Sequence, residues 1–213
     1  MNVFNERRGQ IALYASPISE EGITVALLLE YLRQPHSIHF VDSAEAIDDA
    51  VARKTSTSLP AIIDVTDTGF KNIVDGDLVT KYLLDRYDED RELSYPDGSK
   101  KAREVDDWIS FFKRTVNNSY THATSSTSSG GTPVVRDVLR IYLHLEQQLQ
   151  KTAGRYVTGN KLTIADLVAF PFTATAESFG LDLERFPEVA AWYNRLFSER
   201  PVSRVMAAFK LTS

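Results

Sequence analysis

The chain contains no cysteine. That absence removes disulfides, dithiol redox chemistry, thiolate metal sites and a cysteine nucleophile together, so any sulfur chemistry here must come from a ligand. Histidine is scarce, with four residues. Two of them, His36 and His39 in "HSIH", fall in an expected strand, where an odd separation sends them to opposite faces and suits zinc poorly. Long apolar runs are missing as well. Nothing approaches the roughly 18 residues of a membrane-crossing helix, and "MNVFNERRGQ" lacks the apolar centre of a secretory signal, so a cytosolic protein without membrane attachment is expected. Charge of one sign is nowhere concentrated. The 24 basic and 29 acidic residues are dispersed and sum to −5, which denies the basic footprint a nucleic-acid backbone requires.

What is present is core material: 43% of the 213 residues are hydrophobic, enough for one large domain or two small ones. The character of the chain changes near residue 90. "QIALYASP" reads as a strand and "SEEGITVALLLEYLRQ" as a helix over Ser19–Gln34, with helical spacing at positions 25, 28, 29 and 32 and Pro35 as its stop. "SIHFV" is the next strand and "SAEAIDDAVARK" the next helix. "LPAIIDV" and "FKNIV" form a hairpin around "DTG", and a further helix opens on Asp75-Gly76 and ends near Tyr87. The order is βαβαββα with a mixed sheet. "YDEDRELSYPDGSKK" is charged, turn-rich and without apolar period, so it reads as a linker.

From Ala102 onward only helices are expected: about 102–121, about 133–152, one from Thr163, one from Pro187 and a short last one near Val202. "HATSSTSSGGTP", between the first two, reads as a mobile polar connection. The division is an α/β domain over 1–90, a linker over 91–101 and an all-helical domain over 102–213. Within the helical part "KLTIADLVAF" is the sharpest local signal. Thr163 and Asp166 have the spacing of a capping box, and Leu162 and Leu167 that of a hydrophobic staple.

Taken in order, the βαβαββα pattern, Pro60 opening the third strand, Asp75-Gly76 before the third helix and "LTIADLVAF" deep in a helical domain resemble the cytosolic glutathione transferase family. The resemblance implies a thioredoxin-like domain that binds glutathione, a helical domain that completes a site for a small electrophile, and a homodimer. It implies a cis peptide bond before Pro60, with the Leu59 backbone pairing with the cysteinyl backbone of glutathione; an ordinary trans proline at a strand start is the alternative. Asp75 would accept from the γ-glutamyl ammonium, and the backbone N–H of Gly76, where the family usually has Ser, would help hold the γ-glutamyl carboxylate. Alternatively, Asp75 is a helix N-cap. The family's Lys two places before the proline is Ser58 here, and Lys54 is the nearest base.

Glutathione reacts as its thiolate, and a thiol near pKa 8.5 is mostly protonated at neutral pH. The family lowers that pKa with a hydroxyl at the N-terminus of the first helix. Ser19 stands six residues before Val25, the spacing of the serine-using classes, and is the candidate donor. It is equally a plain N-cap, and Glu20 and Glu21 behind it oppose the positive end of the helix. Ser16 and Tyr14 are the reserves. The electrophile site would be lined by Tyr14, Ser16, Pro17 and Ile18, and by aromatics of the first C-terminal helix, Phe111 and Tyr120 foremost, with Trp108 and Phe112 beside them. Three functions stay open: transfer of the thiolate to an electrophile, glutathione-dependent cis–trans isomerisation of a conjugated double bond, and a non-catalytic regulatory or assembly role. Members with altered glutathione contacts are common among the family's specialised biosynthetic enzymes of secondary metabolism.

Overall fold

The computed structural model describes residues 9–43, 58–66, 68–69, 71–125, 131–153, 155–174 and 182–211, with backbone alone for 116–125 and 131–138. They form two compact units, one comprising the chain up to Asp90 together with Arg200 onward, the other Arg91–Glu199.

In the first unit β1 (Ile11–Ala15), α1 (Glu20–Tyr31), β2 (His36–Phe40), β3 (Ala61–Val65), β4 (Lys71–Asp75) and α2 (Leu78–Tyr87) follow in order. The helix expected over "SAEAIDDAVARK" lies, but for Ser43, outside the described residues. The sheet order is β2-β1-β3-β4, with β1 parallel to β2 and antiparallel to β3, and β4 antiparallel to β3. Every residue of β1 and β3 is buried, as central strands call for, and both runs are apolar except for Asp64 of β3. Ala12 and Tyr14 share one face with Ala61, Ile63 and Val65, while Ala15, on the other, meets α1. A Cβ added to Gly22 would stand 2.7 Å from Ala15 Cβ, so glycine is what lets the first turn of α1 lie against β1.

The last helix, α7 (Arg200–Ala208), belongs to this unit and not to the helical one. Its Arg204 reaches Glu30 of α1 at 3.1 Å, and Phe209 meets Phe40 edge to face at 5.0 Å.

The second unit holds α3 (Lys100–Ser125), α4 (Gly131–Lys151), α5 (Ile164–Ala174), a 3₁₀ turn at Leu183–Arg185 and α6 (Pro187–Phe197). Both long helices overrun the expected bounds: "HATS" stays helical to Ser125 and the next helix starts at Gly131, so only 126–130 of the polar connection fall outside the described residues. The expected linker is packed rather than loose. Leu93 is buried and its carbonyl accepts from Ile164 N–H at 3.0 Å, while Lys161 donates to the carbonyls of Arg91 and Ser94. Among the described residues, no helix is long and apolar enough to cross a membrane.

Asp166 does more than close a capping box. Its carboxylate accepts from Thr163 N–H (3.0 Å) and hydroxyl (3.2 Å), as the box requires, and also from Val157 N–H (2.8 Å) and Trp192 Nε1–H (3.1 Å). Burial raises its pKa from 3.8 to about 6, against those four bonds, which lower it. Glu146 of α4 performs a similar service at long range, accepting from Glu188 and Val189 N–H, each at 3.0 Å, at the start of α6.

Candidate functional site

The strand register decides which loops meet. Tyr14 lies opposite Ala61 and Ala61 opposite Asp75, so the end of β1, the start of β3 and the end of β4 coincide at one end of the sheet. That end gathers residues 16–19, 58–60 and 75–76.

After β1 the chain turns through Ser16-Pro17-Ile18-Ser19, closed by Ser19 N–H donating to Ser16 O at 3.1 Å. Ser19 has extended backbone (φ −79°, ψ 116°) and its Oγ accepts from Gly22 N–H at 3.0 Å, which makes it the N-cap of α1. Capping occupies an acceptor position of the hydroxyl and leaves its O–H as a donor, so cap and donor roles are compatible on one residue. Ser19 and Ser16 are half-buried, Pro17 is exposed, and Ile18 is 86% exposed beside them.

The Leu59–Pro60 bond is cis. Pro60 is buried, and its carbonyl accepts from Gly76 N–H at 2.8 Å. Asp75 terminates β4, and its Oδ2 accepts from Ser58 N–H at 3.3 Å. Two expectations change here. The helix does not open on Asp75-Gly76: α2 begins at Leu78 with Asp77 at the N-cap position and no side-chain capping bond, because Gly76, at φ +55°, turns the chain between strand and helix. Asp75 is therefore no N-cap. The Gly76 N–H, moreover, is directed to the Pro60 carbonyl.

Residues 133–200 match the family model described as "Glutathione S-transferase, C-terminal domain". Within the helical half, these 68 residues resemble the C-terminal domain of glutathione S-transferases. A glutathione S-transferase-like protein of Beauveria bassiana is 26% identical over 94% of this chain and 95% of its own. A probable maleylacetoacetate isomerase of Vibrio cholerae is 44% identical over 43 residues, 20% of each chain. Among solved structures, a glutathione transferase of Phanerochaete chrysosporium with oxidized glutathione superposes with a TM-score of 0.78 at 22% identity, over 97% of both chains. The fold is thus that of the transferases: a thioredoxin-like N-terminal domain and a helical C-terminal one.

Within this transferase fold the remaining candidates separate. Tyr14 is 1% exposed and stacked on His39 at 5.0 Å. It points from the face opposite Ala15 and α1, because neighbours on a strand alternate, and so it is a core residue rather than a reserve for Ser19. Lys54 lies outside the described residues, and Tyr120 is described in backbone only. Trp108 and Phe112 are core of the second unit. Phe111 is half-buried, with the His144 ring 4.8 Å away; burial and Lys151 lower the pKa of that histidine. His36 and His39 engage Gln34 and Ser37, at 2.9 Å each. A cavity of about 420 Å³ lined by Arg155, Tyr156, Asn160 and Arg195 belongs to the second unit and contains none of the candidate residues.

Two features escaped the sequence. Asp64, 2% exposed on β3, accepts from the hydroxyls of Tyr82 (2.6 Å) and Tyr87 (2.7 Å) and pairs with Arg86 at 3.3 Å, fastening α2 to the sheet. Burial, then the bond to Asp64, raises the pKa of both tyrosines. The other is Ser58, whose Oγ stands 2.5 Å from where a Cβ on Gly76 would be. An isolated Ser before Leu-Pro carries no signal for either contact.

Proposed function

We propose that this protein binds glutathione at the shared end of β1, β3 and β4 and presents its sulfur as a thiolate to a small electrophile, acting as a cytosolic homodimer. The observation that carries the reading is the register that puts Ser19, Leu59 and Asp75 together at that end, in a chain whose residues 133–200 match the C-terminal family model of the transferases. In this reading the Asp75 carboxylate receives the γ-glutamyl ammonium, the Leu59 backbone pairs with the cysteinyl unit, and the Ser19 O–H donates to the sulfur. Lowering a thiol pKa by about 2 is worth roughly 2.7 kcal/mol, within reach of one charge-assisted hydrogen bond and a helix N-terminus. The thiolate then forms a sulfur–carbon bond, and the displaced electron pair leaves with a leaving group or takes a proton.

The test is calorimetric. Wild type should bind reduced glutathione, with Asp75→Asn weaker by about 1.5–3 kcal/mol and unchanged in fold. Equal affinity of the two would remove Asp75 from the site, and no binding by wild type would end the reading. A second reading, isomerisation by reversible thiolate addition, is favoured by the local likeness to a probable maleylacetoacetate isomerase. The two are separated by whether glutathione is consumed.

A further inference from the structure

The space beside Gly76 is already filled. An ideal Cβ on Gly76 would lie 2.5 Å from Ser58 Oγ and 3.6 Å from Ser58 Cβ, so any side chain at 76 would evict the Ser58 hydroxyl. Gly76 also has φ +55°, which disfavours a side chain independently. The same serine donates its N–H to Asp75 Oδ2 at 3.3 Å, and it is exposed. One residue therefore steadies the Asp75 carboxylate through its backbone and holds a hydroxyl within the turn that follows it. A carboxylate acceptor beside a hydroxyl donor is complementary to a zwitterionic amino-acid head, whose ammonium donates and whose carboxylate accepts.

We propose that the Ser58 hydroxyl is a ligand contact that stands in the space of the side chain Gly76 lacks and donates to the carboxylate of the amino-acid head whose ammonium Asp75 receives. The inference rests on the glutathione reading and adds to it a specificity residue from the loop before β3. It also gives the glycine a reason: position 76 is kept empty so that position 58 can fill it.

Calorimetric titration of wild type, Ser58→Ala, Ser58→Thr and Gly76→Ala decides it, using reduced glutathione and γ-aminobutyryl-cysteinyl-glycine, which lacks the α-carboxylate. Ser58→Ala should bind glutathione roughly tenfold more weakly, as expected for the loss of a hydrogen bond to a charged group, and Ser58→Thr should retain affinity. Wild type and Ser58→Ala should bind the decarboxylated analogue alike, an equality that a merely structural role for Ser58 would not produce. Gly76→Ala should weaken glutathione binding by displacing the hydroxyl, and should add little to Ser58→Ala in the double variant. Binding of glutathione by wild type with no change in Ser58→Ala overturns this inference and leaves the glutathione site standing; no binding by wild type overturns both.

Discussion

Ser19 shows how a residue's chemistry exceeds its place in the fold. Its Oγ accepts from Gly22 N–H at 3.0 Å, an interaction whose removal by Ala typically costs about 1 kcal/mol. If its O–H also stabilises a bound thiolate, Ser19→Ala has a second effect that no cap explains: the apparent pKa of bound glutathione should rise by about 1–2, and the neutral-pH rate should fall roughly ten- to a hundredfold, at about 1.36 kcal/mol per pKa unit. A titration of thiolate absorbance in both complexes measures this directly. Coincident curves with only a lowered melting temperature would reduce Ser19 to a cap. At this scale the sequence was partly legible. The spacing to Val25 and the acids behind Ser19 were readable because a helix start is a local event. The start of the helix after β4 is displaced from Asp75-Gly76 to Leu78 because nothing local distinguishes a strand's last acid from a helix's first, and the contacts of Ser58 leave no sequence signal because its partners lie 17 and 18 positions away.

Elements are joined by close approaches, and the first turn of α1 makes one against β1. Gly22→Ala would gain helix propensity worth about 1 kcal/mol, yet its Cβ would sit 2.7 Å from Ala15 Cβ, backed by β1. Overpacking should win, with a net loss of about 1–3 kcal/mol in urea denaturation, and Ala15→Gly should recover part of it in the double variant. Additive losses would show that the two sites do not compete for space. The start of α5 makes a different prediction, one of pH. Asp166 has a folded pKa of about 6 against 3.8 as reference, so the folded protein holds its proton more tightly than the unfolded chain. Its contribution to stability is fully present below about pH 3.8 and is lost as pH rises through about 6, a difference of up to about 3 kcal/mol. Wild-type stability measured relative to Asp166→Asn should therefore fall between pH 4 and pH 7, and a gap constant with pH would contradict the buried, raised carboxylate. The box itself was legible from Thr163 and Asp166. Its further partners, Val157 and Trp192, depend on how loops and helices pack and leave no periodic trace.

On the scale of the whole chain, the order of elements was readable from periodicity, but the membership of the units was not. An amphipathic last helix matches any apolar face, and only the folded chain reveals that α7 joins α1 in the first unit. The first unit is in consequence discontinuous: its sheet comes from the early residues, and one of its covering elements is added after the 109 residues of Arg91–Glu199. Val202, Val205, Met206 and Phe209 are all at most 4% exposed. At about 1.5–3 kcal/mol for each buried side chain, their loss approaches or exceeds the entire stability of an ordinary domain, roughly 5–15 kcal/mol. A chain ended at Glu199 should fail to protect the amides of β1 and β3 in hydrogen exchange, and should lose glutathione binding. Phe209→Ala, a milder cut at the same face, should cost about 3–5 kcal/mol while still folding if the wild type lies in the upper part of that range. Native-like protection of β1 and β3 in the truncated chain would mean that the sheet and α1 are self-sufficient, and that α7 rests on them without supporting them.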